Sequence, residues 1–148
     1  MCIINFKIEN KIDSNRPIKF FNTLPFDIDR TSPTVTIGSN RNTNEILNIA
    51  NPEFQLTITF SEQVTGFSDE DIDIINASIS NLVDVDNNGI IYSCTVTADS
   101  DLNSETCTIQ IPANVVLDVN DNENVESNIL TFNIDTKAPE IVLSGNYI

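Results

Sequence analysis

Apolar and polar residues alternate along several short stretches of the chain. In Glu53–Phe60 (EFQLTITF), Phe54, Leu56, Ile58 and Phe60 share one face. Period-two alternation over eight residues predicts a half-buried β-strand. The same pattern puts Tyr92, Cys94 and Val96 inward in 90–97, and Cys107, Ile109 and Ile111 inward in 106–111. It puts Leu130, Phe132 and Ile134 inward in 128–134. Residues 34–37 add a first strand, and the apolar runs 72–77 and 78–83 flank a sharp turn. Asn88-Gly89 is the strongest hairpin signal in the chain, because both residue types accept the positive φ of a tight turn. Ser68 followed by Asp69-Glu70-Asp71 reads as the cap and acidic first turn of a short helical turn. Residues 40–51 read as a polar loop with a brief turn around Glu45-Ile46-Leu47.

About seven short strands at this spacing predict an all-β chain, folded as a two-sheet immunoglobulin-like β-sandwich. An internal repeat sets the expected boundaries. FDIDRTSPTVTIGSN (26–40) and FNIDTKAPEIVLSGN (132–146) align with one offset. Phe26 matches Phe132, Pro33 matches Pro139 and Ile37 matches Leu143, each 106 residues apart. One fixed offset indicates tandem units of that length. The shared Asp-x-x-x-Pro element is the expected junction, since proline fixes φ and removes a donor at an edge strand. The chain is therefore expected to hold the tail of a preceding repeat or a leader (1–29), one complete repeat (30–135) and the first strand of a following repeat (136–148). Both ends read as cuts through a longer chain.

Composition narrows the function. The 148 residues carry 22 acidic and 7 basic side chains, a formal charge of -15, and no His or Trp. Without His there is no Ser-His or Cys-His dyad and no imidazole metal ligand. Such acidity excludes nucleic acid as partner, because that needs a basic footprint. No stretch is long and apolar enough for direct membrane insertion, and the N-terminus has no h-region of secretory length. Two Tyr and no Trp leave little to stack a sugar on. The expectation is a protein that is not an enzyme.

One stretch resembles a known family. ITFSEQVTGFSDEDIDIINASISNL (58–82) is similar to the bacterial immunoglobulin-like repeats of large surface and adhesin-type proteins. The resemblance rests on Phe60-Ser61-Glu62, Val64-Thr65-Gly66-Phe67 and Asp71-Ile72, on the two junctions Asp29 to Pro33 and Asp135 to Pro139, and on Pro112-Ala113 with the acidic turn 118–124. It covers about 26–146. The departures are an Asn-rich insertion at 40–51, two cysteines and a turn richer in Asp and Asn. The resemblance implies a non-catalytic spacer or adhesive repeat, located extracellularly or at the cell surface, with neighbouring repeats as partners. The alternative is a module that binds a carbohydrate or a surface protein through loops 61–70 and 112–126.

Calcium is the one cofactor this composition suggests. No basic residue stands between Asn42 and Thr136, a stretch with 17 carboxylates. If strands alternate in direction, loops 61–70, 84–89 and 112–126 share the end nearest a preceding repeat, and Asp135 lies at the other end. The candidate ligands are Asp118, Asn120, Asp121, Asp84, Asp86 and Asp135, oxygen donors of the kind calcium takes. Asp118-Val119-Asn120-Asp121-Asn122 is also similar to the calcium-binding linker of cadherin repeats, but the Ala-Pro that follows there is absent. Asp84-Val85-Asp86-Asn87-Asn88-Gly89 mimics the start of a helix-loop-helix calcium loop. Its twelfth position would be Thr95, where that loop needs Glu, and its flanks are strands, so it is read here as a hairpin turn.

Cys94 and Cys107 fall on successive strands expected to form a hairpin, both at inward parity. They read either as two small apolar side chains or as a cross-strand disulfide. The extracellular setting that the resemblance implies favours the disulfide.

Overall fold

The structure, a computed structural model, describes residues 28–144. Most of the N-terminal tail, including Cys2, and the last four residues lie outside the described residues. Ten strands follow one another: β1 (Val35–Ser39), β2 (Ile46–Asn48), β3 (Glu53–Phe60), β4 (Val64–Thr65), β5 (Asp73–Ile75), β6 (Ala77–Asp84), β7 (Ile91–Ala98), β8 (Asn103–Gln110), β9 (Leu117–Asp118) and β10 (Leu130–Asp135). They form two four-stranded sheets, in orders β1-β3-β7-β6 and β2-β10-β8-β5, with a small β4-β9 ribbon. This is the two-layer sandwich that the alternation predicts. Every inward residue of β3 is buried, and Cys107, Ile109, Ile111, Phe132 and Ile134 are fully buried.

The core forms where the two sheets meet. Phe54 of β3 and Phe132 of β10 stack across the layers with ring centroids 4.5 Å apart. At one end Phe60, Phe67 and Tyr92 make edge-to-face contacts at 4.9 to 6.0 Å, the geometry that ring quadrupoles prefer. The expected helical turn is a 3-10 turn at Asp69–Asp71. The Asp71 carboxylate accepts hydrogen bonds from Ser68 N and Oγ at 2.8 and 3.0 Å, which closes the turn on itself.

Two expectations are corrected. The polar loop 40–51 contains a strand: β2 pairs parallel with β10, and Leu47 is fully buried. Its single inward residue is too little for periodicity to register. The β7–β8 hairpin does not form. After Ala98 the chain crosses to the other sheet, guided by Thr136. Thr136 Oγ1 donates to Asp99 O at 2.6 Å and accepts from Leu102 N at 3.1 Å. Cys94 therefore stands opposite Leu56 and Cys107 opposite Phe132, and both are free thiols. The proposed disulfide is replaced by two buried thiols. Burial pushes each up to about 11, so the reactive thiolate is scarce at neutral pH. In a Cys2→Ser background, an aromatic disulfide reagent should label no thiol in the folded protein and two in denaturant. Rapid labelling of the native state would contradict this packing.

The composition shows in the turns. Seven non-glycine residues among those described have positive φ, and six of them are Asn or Asp. These side chains tolerate the left-handed region, which explains how a chain with only four glycines makes so many reversals. Gly89 is one place where glycine is required: φ is +73°, and a Cβ would stand 2.4 Å from Val64 O.

Candidate functional site

Three carboxylates, those of Asp29, Glu62 and Asp118, meet at one end of the sandwich. There β1 begins, β3 ends and the 112–127 segment folds over the edge. That segment is held by Asn124, which is almost wholly buried. Its Oδ1 accepts from Val115 N and Val116 N at 2.9 and 3.1 Å. Its Nδ2 donates to Pro112 O and Val125 O, both at 2.9 Å. All the hydrogen-bonding capacity of one amide is used to fix a segment whose only regular structure is the two-residue β9. Val125 N donates to Pro33 O at 2.9 Å, which ties the loop to the junction segment. Asn128 does the same for β1: Ile37 N donates to its Oδ1 at 2.9 Å, and its Nδ2 donates to Ile37 O at 3.0 Å.

The anchored loop presents Asp118. Its Oδ1 accepts from Asn120 N at 2.7 Å and Asn122 N at 2.8 Å, and its Oδ2 accepts from Asn122 Nδ2 at 2.8 Å. Desolvation works to raise its pKa, but these three bonds together outweigh it and hold the carboxyl below its ordinary value. Asp118 is thus a buried, fixed anion. Carboxylate oxygens of Asp29, Glu62 and Asp118 lie within 4.8 Å of one another. Asn120 Nδ2 reaches Asp29 Oδ2 at 3.4 Å, and Asn122 Nδ2 reaches Asp29 O at 3.4 Å. The Glu62 carboxyl is pushed above its usual range, first by burial and then by Asp118 and Asp29. Three acidic groups this close repel one another unless a cation or proton stands between them. An exposed, an intermediate and a buried carboxylate with amides beside them offer hard oxygen ligands suited to calcium.

The six sequence candidates separate into four places. Asp118 and Asn120 belong to this cluster. Asp121 lies three residues on, facing a shallow groove of about 530 Å³ beside Ser32 and Asn114. Asp84 and Asp86 sit on the β6–β7 turn. Asp135 ends β10 at the far end of the domain, opposite Asn48 and Asn103. Glu62 and Asp29 were not among those candidates. The internal repeat is the signal for Asp29, because the 106-residue offset equates it with Asp135.

Ordered A-B-E-D and A′-G-F-C, by the usual lettering, the strands define an immunoglobulin-type sandwich. The bacterial Ig-like domain family matches residues 29–134, and the chain belongs to that family. Its members are structural or adhesive modules and are generally non-catalytic. No curated protein and no solved structure matches the chain. Among the described residues no helix is long and apolar enough to cross a membrane.

Proposed function

We propose that this domain is a spacer in a tandem array of an extracellular surface protein, stiffened where calcium closes its acidic junction. The observation that carries the reading is the docking of junction residue Asp29 against Glu62 and Asp118. The junction motif recurs at Asp135, so each repeat would hand a carboxylate to the next. The segment after β10 supports the same order. Ile141, Val142 and Leu143 are 85, 83 and 91% exposed, whereas their counterparts at the 106-residue offset include Val35 and Ile37, at 4 and 5%. Such a run fits the first strand of a following repeat. Loops 61–70 and 112–126 would then face the preceding repeat, which leaves them little room to serve as an open binding surface.

The test is thermal unfolding of the wild type and Glu62→Gln in chelator and in millimolar calcium. In chelator at pH 7, Glu62→Gln should raise the midpoint, because it removes a repelling charge. The wild-type deficit should shrink on acidification. A carboxyl with a raised folded pKa takes up protons more readily in the folded state, so its contribution to stability falls as pH rises through that pKa. In calcium the order should reverse: the wild type gains stability by linkage, roughly 2.7 kcal/mol at a hundred times the dissociation constant, and Glu62→Gln gains much less. Equal wild-type midpoints in calcium and chelator would overturn the calcium part of the reading.

A further inference from the structure

The end of the sandwich away from the carboxylate cluster carries a surface of another kind. A groove of about 370 Å³ opens there, lined by Ile49, Pro52, Thr97, Ala98, Ser100 and Thr136. Its wall is mostly apolar, and its largest side chain, Ile49, is 57% exposed. The groove is held in shape. Ala98 N donates to Pro52 O at 2.9 Å, and beside it Thr136 N and Lys137 N both donate to Leu102 O, at 2.8 and 2.9 Å. Preformed apolar concavities are where proteins take partners.

The junction indicates what would reach it. The 106-residue offset equates Asp135 with Asp29. In this repeat Asp29 lies against loop 118–122: Asn120 Nδ2 donates to its Oδ2 and Asn122 Nδ2 to its backbone O, both at 3.4 Å. The same loop of a following repeat would come to rest at Asp135, one residue from Thr136 and the groove. Between Asp118 and Asn120 that loop presents Val119, which is 67% exposed. The apolar knob and the apolar hollow thus each stand one residue from a group engaged at the shared aspartate. Little slack separates them, because Asp135 is still in register with Asn48 and Asn103 and the next two residues are bonded to Leu102. Charge agrees with this placement. Lys137 is the only basic residue after Arg41. Its counterpart is Thr31, next to Ser32, which shares a groove with the acidic segment 121–126. One cation therefore enters where a following repeat presents three carboxylates.

We propose that the groove at Ile49 seats the following repeat, a second copy of this domain, whose Val119 side chain enters it while Lys137 lies against residues 121–126 of that copy. The inference rests on the tandem reading above and adds the surface through which two repeats touch.

A two-repeat chain tests it: residues 1–138 followed directly by 33–148, which preserves the offset and keeps the whole core, Val35 to Ile134, in both copies. In a Cys2→Ser background, Ile49→Cys in the first copy and Val119→Cys in the second should form a disulfide within the chain on mild oxidation. The comparison pair keeps Val119→Cys in the second copy and replaces Ile49→Cys with Ile46→Cys, a residue also exposed and on the strand beside β10. All three positions are exposed, so each variant should fold. The Ile49 pair should close on the order of tenfold faster, because docking raises its effective concentration above that of two thiols on one tether. Equal rates, or no disulfide at Ile49, overturn the contact. If equal rates accompany one fixed spacing of the repeats in X-ray scattering, the stiff-spacer reading outlives the contact; if they accompany a broad range of spacings in calcium, both fall. A fast Ile49 pair in chelator, beside a failed melting test at Glu62, would establish the contact without the ion.

Discussion

Asn124→Asp should lower the stability of the domain by about 3 kcal/mol at neutral pH, roughly 10–20 °C in unfolding midpoint, although it changes one atom. The new carboxylate keeps the acceptor for Val115 N and Val116 N. It replaces the amide donor with an oxygen facing Pro112 O and Val125 O at 2.9 Å. Two carbonyls lose their donor, and a charge is left in a site about 1% exposed. Burial and the facing carbonyls favour the protonated acid, so the folded pKa of the introduced group rises above the unfolded value. The loss should therefore shrink as pH falls through that raised pKa, since the protonated acid can donate one bond again. Urea unfolding of both proteins between pH 4 and 8 measures this directly. A pH-independent difference under 1 kcal/mol would mean that the loop does not depend on the Asn124 bonds. Because Asn124 also fixes the segment that carries Asp118, the variant should weaken any cation effect at the junction.

Phe132→Ala should cost about 3–5 kcal/mol, the range for removing a buried aromatic side chain and leaving a cavity. Phe132 is fully buried. It stacks on Phe54 from the opposite layer and stands opposite Cys107 in its own sheet. Few residues touch both sheets so directly, and a cavity at the interlayer contact cannot close without moving whole strands. Phe132→Leu should recover much of the loss. Chemical denaturation of the pair supplies the comparison, and an alanine variant within 1 kcal/mol of wild type would contradict the core described above.

These residues also show where sequence reading succeeds. Phe54 to Phe60 and Phe132 to Ile134 alternate strictly, and their inward faces follow from the period alone. Asn88-Gly89 announces a hairpin because its conformation is local. The pairing of β8 was not legible, since alternation says which face is buried but not which strand lies alongside. β8 lies beside β10 and β5 instead, and Thr136, 37 residues from the Asp99 carbonyl it binds, holds the crossing segment in place. The same limit applies to the site. Asp118 and Asn120 stand out as a cluster within the sequence. Glu62 joins them only because β4 pairs with β9, and Asp29 only because Val125 holds Pro33.

The short parallel pairing of β2 with β10 acquires a distinct meaning when the chain is pulled. The junction residues lie at one end of the sandwich and Thr136 at the other, separated by the length of eight-residue strands, about 27 Å at 3.4 Å per residue. Tension along the chain drags β10 lengthwise past β2 rather than peeling it away. Asn133, Ile134 and Asp135 face Ile46, Leu47 and Asn48 in register, and the bonds between parallel strands are evenly spaced. They share the load and must fail together, whereas an antiparallel hairpin pulled from its open end yields one bond at a time. The Asn-rich insertion at 40–51 thus supplies the strand that any lengthwise slip of β10 must break, with Leu47 as its buried peg.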